Sequence, residues 1–244
     1  MLTVNEFHRS KTGNTSEEYE DAYASDSTNG VFAVADGATE SSFSDVWAKA
    51  LVKTFVENPP GFVTNDRDVM KGILQLARAQ WYSSIDWTTL PWFQKNKAML
   101  GSYSTLLGLQ IDLLDEKRRF RCMTIGDSCM FHITGERMES FPFSDSTDMS
   151  NTPRLMWSGR GFTGAQGKEV DIPGIEVKYG KLRVGDRIVL ATDAIAKWML
   201  KHKADKPWQD LLSHGGDFDS YVGDLISSGQ VKNDDVTLVF ITVT

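Results

Sequence analysis

Residues 31–44 read VFAVADGATESSFS: five apolar residues run straight into Asp36-Gly37, and the chain then turns small and polar. A buried run that ends on a carboxylate poses a physical problem. A lone buried carboxylate costs roughly several kcal/mol unless a cation or hydrogen bonds compensate it. The arrangement recurs along the chain. CMTIGD puts Asp127 at the end of a second apolar strand, and IVLATD puts Asp193 at the end of a third. NDDVTLVFI puts Asp234 and Asp235 at the start of a fourth, and EEYEDAY places Glu20-Asp21 just before another strand-like segment.

If these ends converge, several carboxylates share one small volume, and like charges that close cannot all stay ionised without a counter-charge. No Lys or Arg lies within the motifs themselves. Divalent ions resolve the repulsion, since carboxylates, a glycine carbonyl and waters suit hard cations such as Mg²⁺ or Mn²⁺. Two such ions about 3.5–4 Å apart, bridged by one carboxylate, polarise a water and hold a phosphoryl group in line. Asp36 is the candidate bridge. Taken singly each motif has a plainer reading: Asp36-Gly37 and Gly126-Asp127 as turns, Asp193 as the cap of a helix starting at Ala194.

The surrounding pattern places these motifs. SDVWAKALVKTFVEN (44–58) and NDRDVMKGILQLARAQWYSSI (65–85) carry apolar residues at helical spacing, the first capped by Ser44 or Asp45, and Pro59-Pro60-Gly61 separates them. Segments 102–114, 119–126 and 129–135 are short, β-branched or aromatic-rich, and joined by turn chemistry. Segment 186–193 reads as a strand, three short helices follow, and VTLVFITVT closes as a strand. Strands that mostly follow one another, with helices in pairs between strand groups, predict antiparallel sheets covered by helices. Residues 144–174 are long, polar and without period, which predicts a flap beside the site.

Composition excludes other classes. The 244 residues suffice for a large core, and 41% hydrophobic with 24% charged residues is ordinary for a globular protein. A net charge of −7, with no basic stripe beyond KRR at 117–119, argues against nucleic acid. No signal peptide or membrane-length apolar run is present, and two cysteines make no disulfide framework, so a reducing, cytoplasmic setting is expected. With Gly126-Asp127 as a hairpin tip, Cys122 sits diagonal to Cys129 at roughly 7 Å, too far for a good bridge. His8, His132, His202 and His214 fall outside the acidic blocks. Trp87, Trp92 and Phe93 in DWTTLPWF are expected to pack over the helix pair, with a partner-binding edge as the alternative.

EYEDAY, VFAVADGA, GSYSTLLGLQI, MTIGDSCMFHI, DRIVLATDA and NDDVTLVFI, in this order and at this spacing, resemble the type-2C (PPM-type) metal-dependent serine/threonine protein phosphatases. The small residues after Asp-Gly look closest to a bacterial branch. The resemblance spans nearly the whole chain as one domain, 1–244. It implies an α+β fold: a four-layer α/β/β/α sandwich of two antiparallel sheets flanked by helix pairs. It implies two Mg²⁺ or Mn²⁺ ions, and a weaker third. By motif match Asp36 bridges, the Gly37 carbonyl binds one ion, and Asp193 and Asp234 hold the other. Glu20 and Asp21 bind through water or support the site, and Asp127 with Asp193 matches the third. Asp36 and Asp193 are thereby the catalytic candidates, and Asp235 is expected to order ligand waters.

Departures from the family pattern bear on activity. The arginine that in many relatives precedes the Glu-Asp pair and binds phosphate is Ser16 here, and the histidine after Asp-Gly is Ala38. The usual glycine after the third-strand Asp is Ala194. Arg9 or Lys11 are candidates to replace the arginine, and Arg154 and Trp157 in the flap are further candidates for substrate contact. The implied reaction is direct hydrolysis of phosphoserine or phosphothreonine by a metal-activated water. The expected partner is a phosphorylated protein, neither nucleic acid nor membrane, met by a monomer. Two rivals stand beside it: a phosphatase-like binding module without turnover, and a hydrolase of a small phosphorylated molecule.

Overall fold

The structure, a computed structural model, describes residues 1–62, 65–114, 118–150, 152–159, 172 and 174–244. Two five-stranded antiparallel sheets pack face to face. The first runs β1 (Leu2–Arg9), β12 (Val236–Val243), β11 (Arg187–Ala191), β7 (Cys129–Thr134), β8 (Arg137–Phe141). The second runs β10 (Glu176–Lys181), β6 (Arg119–Ile125), β5 (Leu106–Ile111), β3 (Val31–Ala35), β2 (Ala22–Asp26). A two-stranded ribbon pairs β4 (Tyr103–Ser104) with β9 (Met156–Trp157).

The unbroken apolar run of β3 has a direct cause: it is buried on both faces. Phe32 and Val34 enter the core between the sheets with Leu107, Leu109, Ile188, Leu190, Val239 and Ile241. Val31, Ala33 and Ala35 face the opposite way, onto Trp47, Leu51 and Phe55 of α1 (Ser44–Glu57) and Met70, Ile73 and Ala77 of α2 (Asp66–Ser84). Across the sandwich, Val189, Ala191, Leu238 and Phe240 meet α4 (Asp193–Lys201), α5 (Pro207–Ser213) and α6 (Phe218–Ser227). These three apolar clusters give the helix–sheet–sheet–helix layering. Among the described residues no helix is long and apolar enough to cross a membrane.

Several local expectations are corrected. Neither Ser44 nor Asp45 caps α1. Phe43 stands at the cap position with φ +59° and no side-chain cap bond, and the Ser44 hydroxyl is diverted to Glu20 Oε1. Residues 92–99 form a helix of their own, α3 (Trp92–Met99), whose one buried residue is Ala98. Trp92 and Phe93 are consequently exposed, at 76% and 56%, while Trp87 stacks on Tyr82 and meets Trp81 edge-on. Gly126-Asp127 is no hairpin tip. β6 and β7 belong to different sheets, so residues 126–128 cross between layers and leave Cys122 and Cys129 buried and unjoined.

The expected flap falls partly on residues 151, 160–171 and 173, outside the described ones. Its described portion is tied down: Trp47 Nε1 donates to the Met156 carbonyl at 2.9 Å, and Ser158 N to the Ser102 carbonyl at 2.9 Å.

α1 lies so close to the second sheet that only glycine fits at position 108. A Cβ built there would stand 2.2 Å from Phe55 Cζ, and the Phe55 ring is fully buried. Gly108→Ala should therefore destabilise the fold by about 1–3 kcal/mol, the usual scale of overpacking. Chemical denaturation with an unchanged m-value checks this.

Candidate metal centre

The sandwich brings the acidic strand ends to one side, around a cavity of about 490 Å³. Its wall includes Asp36 and Gly37, the two residues after β3, with Asp127 on the crossover between sheets, Asp193 at the start of α4 and Asp234 on the approach to β12. Glu20 and Asp21 stand behind this wall rather than in it.

Asp36 is fixed through its backbone. Its N–H donates to Thr105 Oγ1 at 2.9 Å, and its carbonyl accepts from Thr105 N at 2.9 Å and Ser104 Oγ at 2.8 Å. Thr105 Oγ1 also meets Ser128 Oγ at 2.9 Å, so one threonine joins the segments that carry Asp36 and Asp127. Gly126, at φ +111°, lets the crossover pass against the Thr105 methyl, which a Cβ would meet at 2.6 Å. Gly37 is equally confined: a Cβ there would strike the Glu20 carbonyl and the Ser44 backbone.

The acids differ in how well they are satisfied. Asp21 is buried, and its Oδ2 accepts from Thr192 Oγ1 at 2.8 Å and Thr237 Oγ1 at 2.7 Å. Thr237 Oγ1 in turn meets the Tyr19 hydroxyl. Thr192 occupies the cap position of α4, yet its hydroxyl serves Asp21, and Asp193 is the helix's first residue, not its cap. Asp235 accepts from Lys11 N and Glu20 N, both at 2.7 Å. Its immediate task is thus to pin two backbones beside the acidic cluster, where ordering of waters was expected. Asp127 has the opposite situation, because its buried Oδ1 finds no partner among the described residues.

Electrostatics follow from this crowding. Burial first, then the charges of Asp21, Asp193, Asp127 and Asp234, hold the Asp36 carboxyl well above the usual carboxylate range. Burial also raises Asp21 and Asp193, the latter with Asp234 as its leading charged neighbour. Asp127 is pushed up to about 7 by burial and Asp193, with Lys232 and Lys197 pulling the other way. Lys232 Nζ lies 2.5 Å from Asp234 Oδ2.

An all-oxygen donor set, mutual repulsion and a buried oxygen without a partner fit hard divalent cations. Among the described residues no three acidic, histidine or cysteine side chains already converge on one point. The carboxylates surround a common cavity and would have to draw inward on an ion.

The candidates for phosphate contact lie elsewhere. Arg9 is held by Asp219 of α6, 2.8 Å from both its carboxylate and its carbonyl, and by Thr12. Neither Arg9 nor Lys11 lines the cavity, and Ser16 sits exposed on a short 3₁₀ turn. The Arg154 guanidinium lies against Gly174. Trp157 Nε1 donates to the Leu100 carbonyl at 2.8 Å, and Arg78 reaches the Trp157 carbonyl, so this tryptophan rivets β9 to the neighbouring chain. Of the histidines, none lines the cavity; His132 pairs with Asp186 at 3.0 Å. Sequence reasoning missed Thr192 and Thr237, although both stood inside quoted motifs, and missed Lys197 and Lys232, which line the cavity from just outside them.

Comparison with known proteins converges on one family. The sequence model described as Protein phosphatase 2C matches residues 13–233. No curated protein sequence matches the chain. Among solved structures, the serine/threonine phosphatase PstP/Ppp of Mycobacterium tuberculosis superimposes with a TM-score of 0.62 at 13% identity, over 99% of this chain and 98% of that one. The PstP catalytic domain in complex with two manganese ions gives 0.59 at 15%, over the whole of both chains. PppA, a key regulatory component of T6SS in Pseudomonas aeruginosa, gives 0.54 at 19%, over 100% of this chain and 98% of that one. At such identities these structures speak for the fold, and the family rests on the sequence match. A sandwich whose acidic strand ends meet at one cavity, in a chain matched over residues 13–233, belongs to the protein phosphatase 2C family of metal-dependent protein phosphatases.

Proposed function

We propose that the chain hydrolyses phosphoserine and phosphothreonine in proteins at a centre of two Mg²⁺ or Mn²⁺ ions. Asp36, the Gly37 carbonyl, Asp193 and Asp234 would hold the pair, and Asp127 with Asp193 a weaker third. The chemistry such ions supply when bound is a water activated for attack on phosphorus and neutralisation of the phosphoryl charge. The observation that carries the reading is the unpartnered, buried Oδ1 of Asp127 beside Asp36, whose carboxyl is raised by burial and then by four neighbouring acids.

The chain's own residues prepare the site for this work. Thr105 and Ser104 fix the Asp36 backbone, so its carboxylate reaches toward an ion from an anchored main chain. Thr192 and Thr237 hold Asp21 in one orientation, and Ser44 does so for Glu20. Asp235 binds the Glu20 N–H and keeps the Glu20-Asp21 pair against β12. A binding module without turnover is the second reading, favoured by one observation: Arg9, a candidate to replace the family arginine, is paired with Asp219. Release of phosphate from a phosphothreonine peptide with Mn²⁺ or Mg²⁺, abolished by chelator, is the expected result; none with Mn²⁺ bound would favour the module.

Asp36→Asn should lower turnover at least about a hundredfold, the scale of losing one preorganised electrostatic group. It should also raise the melting temperature of the chelated protein, because a buried acid whose ionisation burial and its neighbours oppose leaves the cluster. Near-wild-type activity at saturating Mn²⁺ would remove Asp36 from the mechanism.

The sign of the pH dependence follows from the raised carboxyls. Between the ordinary 3.8 and about 7, folded Asp127 holds a proton that the unfolded chain has released. Stability of the metal-free protein therefore falls as pH rises through this window. Chelated protein should melt higher at about pH 5 than at about pH 8, and Mn²⁺ should close the gap. A flat profile without metal would mean that neither burial nor the neighbouring acids raise these carboxyls.

A further inference from the structure

Two ammonium groups line the cavity among the described residues, and their circumstances differ. Lys232 is committed to Asp234. Lys197 has no hydrogen bond or ion pair among the described residues. From Ala194 to Leu200, α4 buries every residue except Lys197. Residues four apart on a helix lie one above the other. The helix therefore shows the cavity a single polar edge, made of half-buried Asp193 and, one turn on, exposed Lys197.

An exposed helical lysine is ordinarily a solvated charge and nothing more. This one stands at the rim of an acidic cavity. The geometry points to Lys197 as the side chain that grips the substrate's phosphoryl group at the cavity mouth, an inference that rests on the phosphatase reading above. A phosphoryl dianion approaching Asp36, Asp127, Asp193 and Asp234 needs positive charge on its outward oxygens as well as at the site's floor. Arg9 is spent on Asp219, and neither Lys11 nor Ser16 lines the cavity. Among the described residues, Lys197 alone combines a free ammonium, three donors and a flexible four-carbon stem at the rim. The influence of its charge on Asp127 and Asp193 is consistent with its facing them.

The test uses the Mn²⁺-loaded protein with Lys197→Gln and Lys197→Arg. One charge-assisted contact corresponds to about ten- to a hundredfold in affinity. Lys197→Gln should raise KM for a phosphothreonine peptide, and weaken inorganic phosphate binding in calorimetry, by about that factor. Its kcat should stay within about twofold, and Lys197→Arg should recover most of the affinity. Phosphate binding by Lys197→Gln equal to wild type would overturn the inference. So would a change confined to Mn²⁺ affinity, since the lysine would then merely balance the acids. If wild type binds Mn²⁺ yet releases no phosphate, the phosphatase reading fails by itself. The phosphate titration then still decides Lys197: weaker binding by the variant supports it and equal binding overturns it.

Discussion

Repulsion among carboxylates that burial prevents from ionising freely governs the open end of this sandwich. Asp21, Asp36, Asp127 and Asp193 are all raised, each first by burial and then by one another or by Asp234 and Asp235. No local segment would choose such an arrangement. It persists because the strands that carry the acids are locked by a core shared between two sheets, where Phe32, Leu109, Leu190 and Ile241 are wholly buried. Each fully buried side chain of this kind contributes about 1.5–3 kcal/mol.

The same constraint sorts the acids by task. Asp21 and Asp235 are satisfied by protein donors, two hydroxyls for one and two backbone N–H groups for the other. They act as fasteners that join the N-terminal segment to β12 and α4. Asp36, Asp127 and Asp193 keep their carboxylates toward the cavity, and Asp127 keeps one oxygen with no partner among the described residues. Unsatisfied charge is what an ion can relieve. The division between fastening and binding groups is thus written in the hydrogen bonds, and Thr105, reaching both Asp36 and Ser128, holds the two halves in register.

Much of the fold was legible because its causes are local. Helical spacing placed α1 and α2 within a residue or two, and apolar runs placed β3, β6, β7, β11 and β12. The acidic blocks were legible for a related reason: a carboxylate at the end of a buried run is costly enough to need an explanation. α3 was not legible, since an exposed helix with one buried residue leaves no periodic apolar signal.

Pairwise and long-range relations stayed hidden. Gly126-Asp127 has the composition of a hairpin turn, yet it crosses between sheets, because the neighbours of β6 and β7 are set by which faces must be buried against α1 or α4. Arg9 reads as a free cation until α6 brings Asp219 to it, across 210 residues of chain. Trp157 reads as a substrate contact until the Leu100 carbonyl accepts its N–H. Lys197 and Lys232 carry no signal in the sequence, and only the closing of the sandwich brings them to the acidic cavity. The sequence by itself determined which residue types end each buried strand, because burial and period act within a few residues. Only the tertiary structure decided which charges meet, because a charge's partners are chosen by the packing of distant segments.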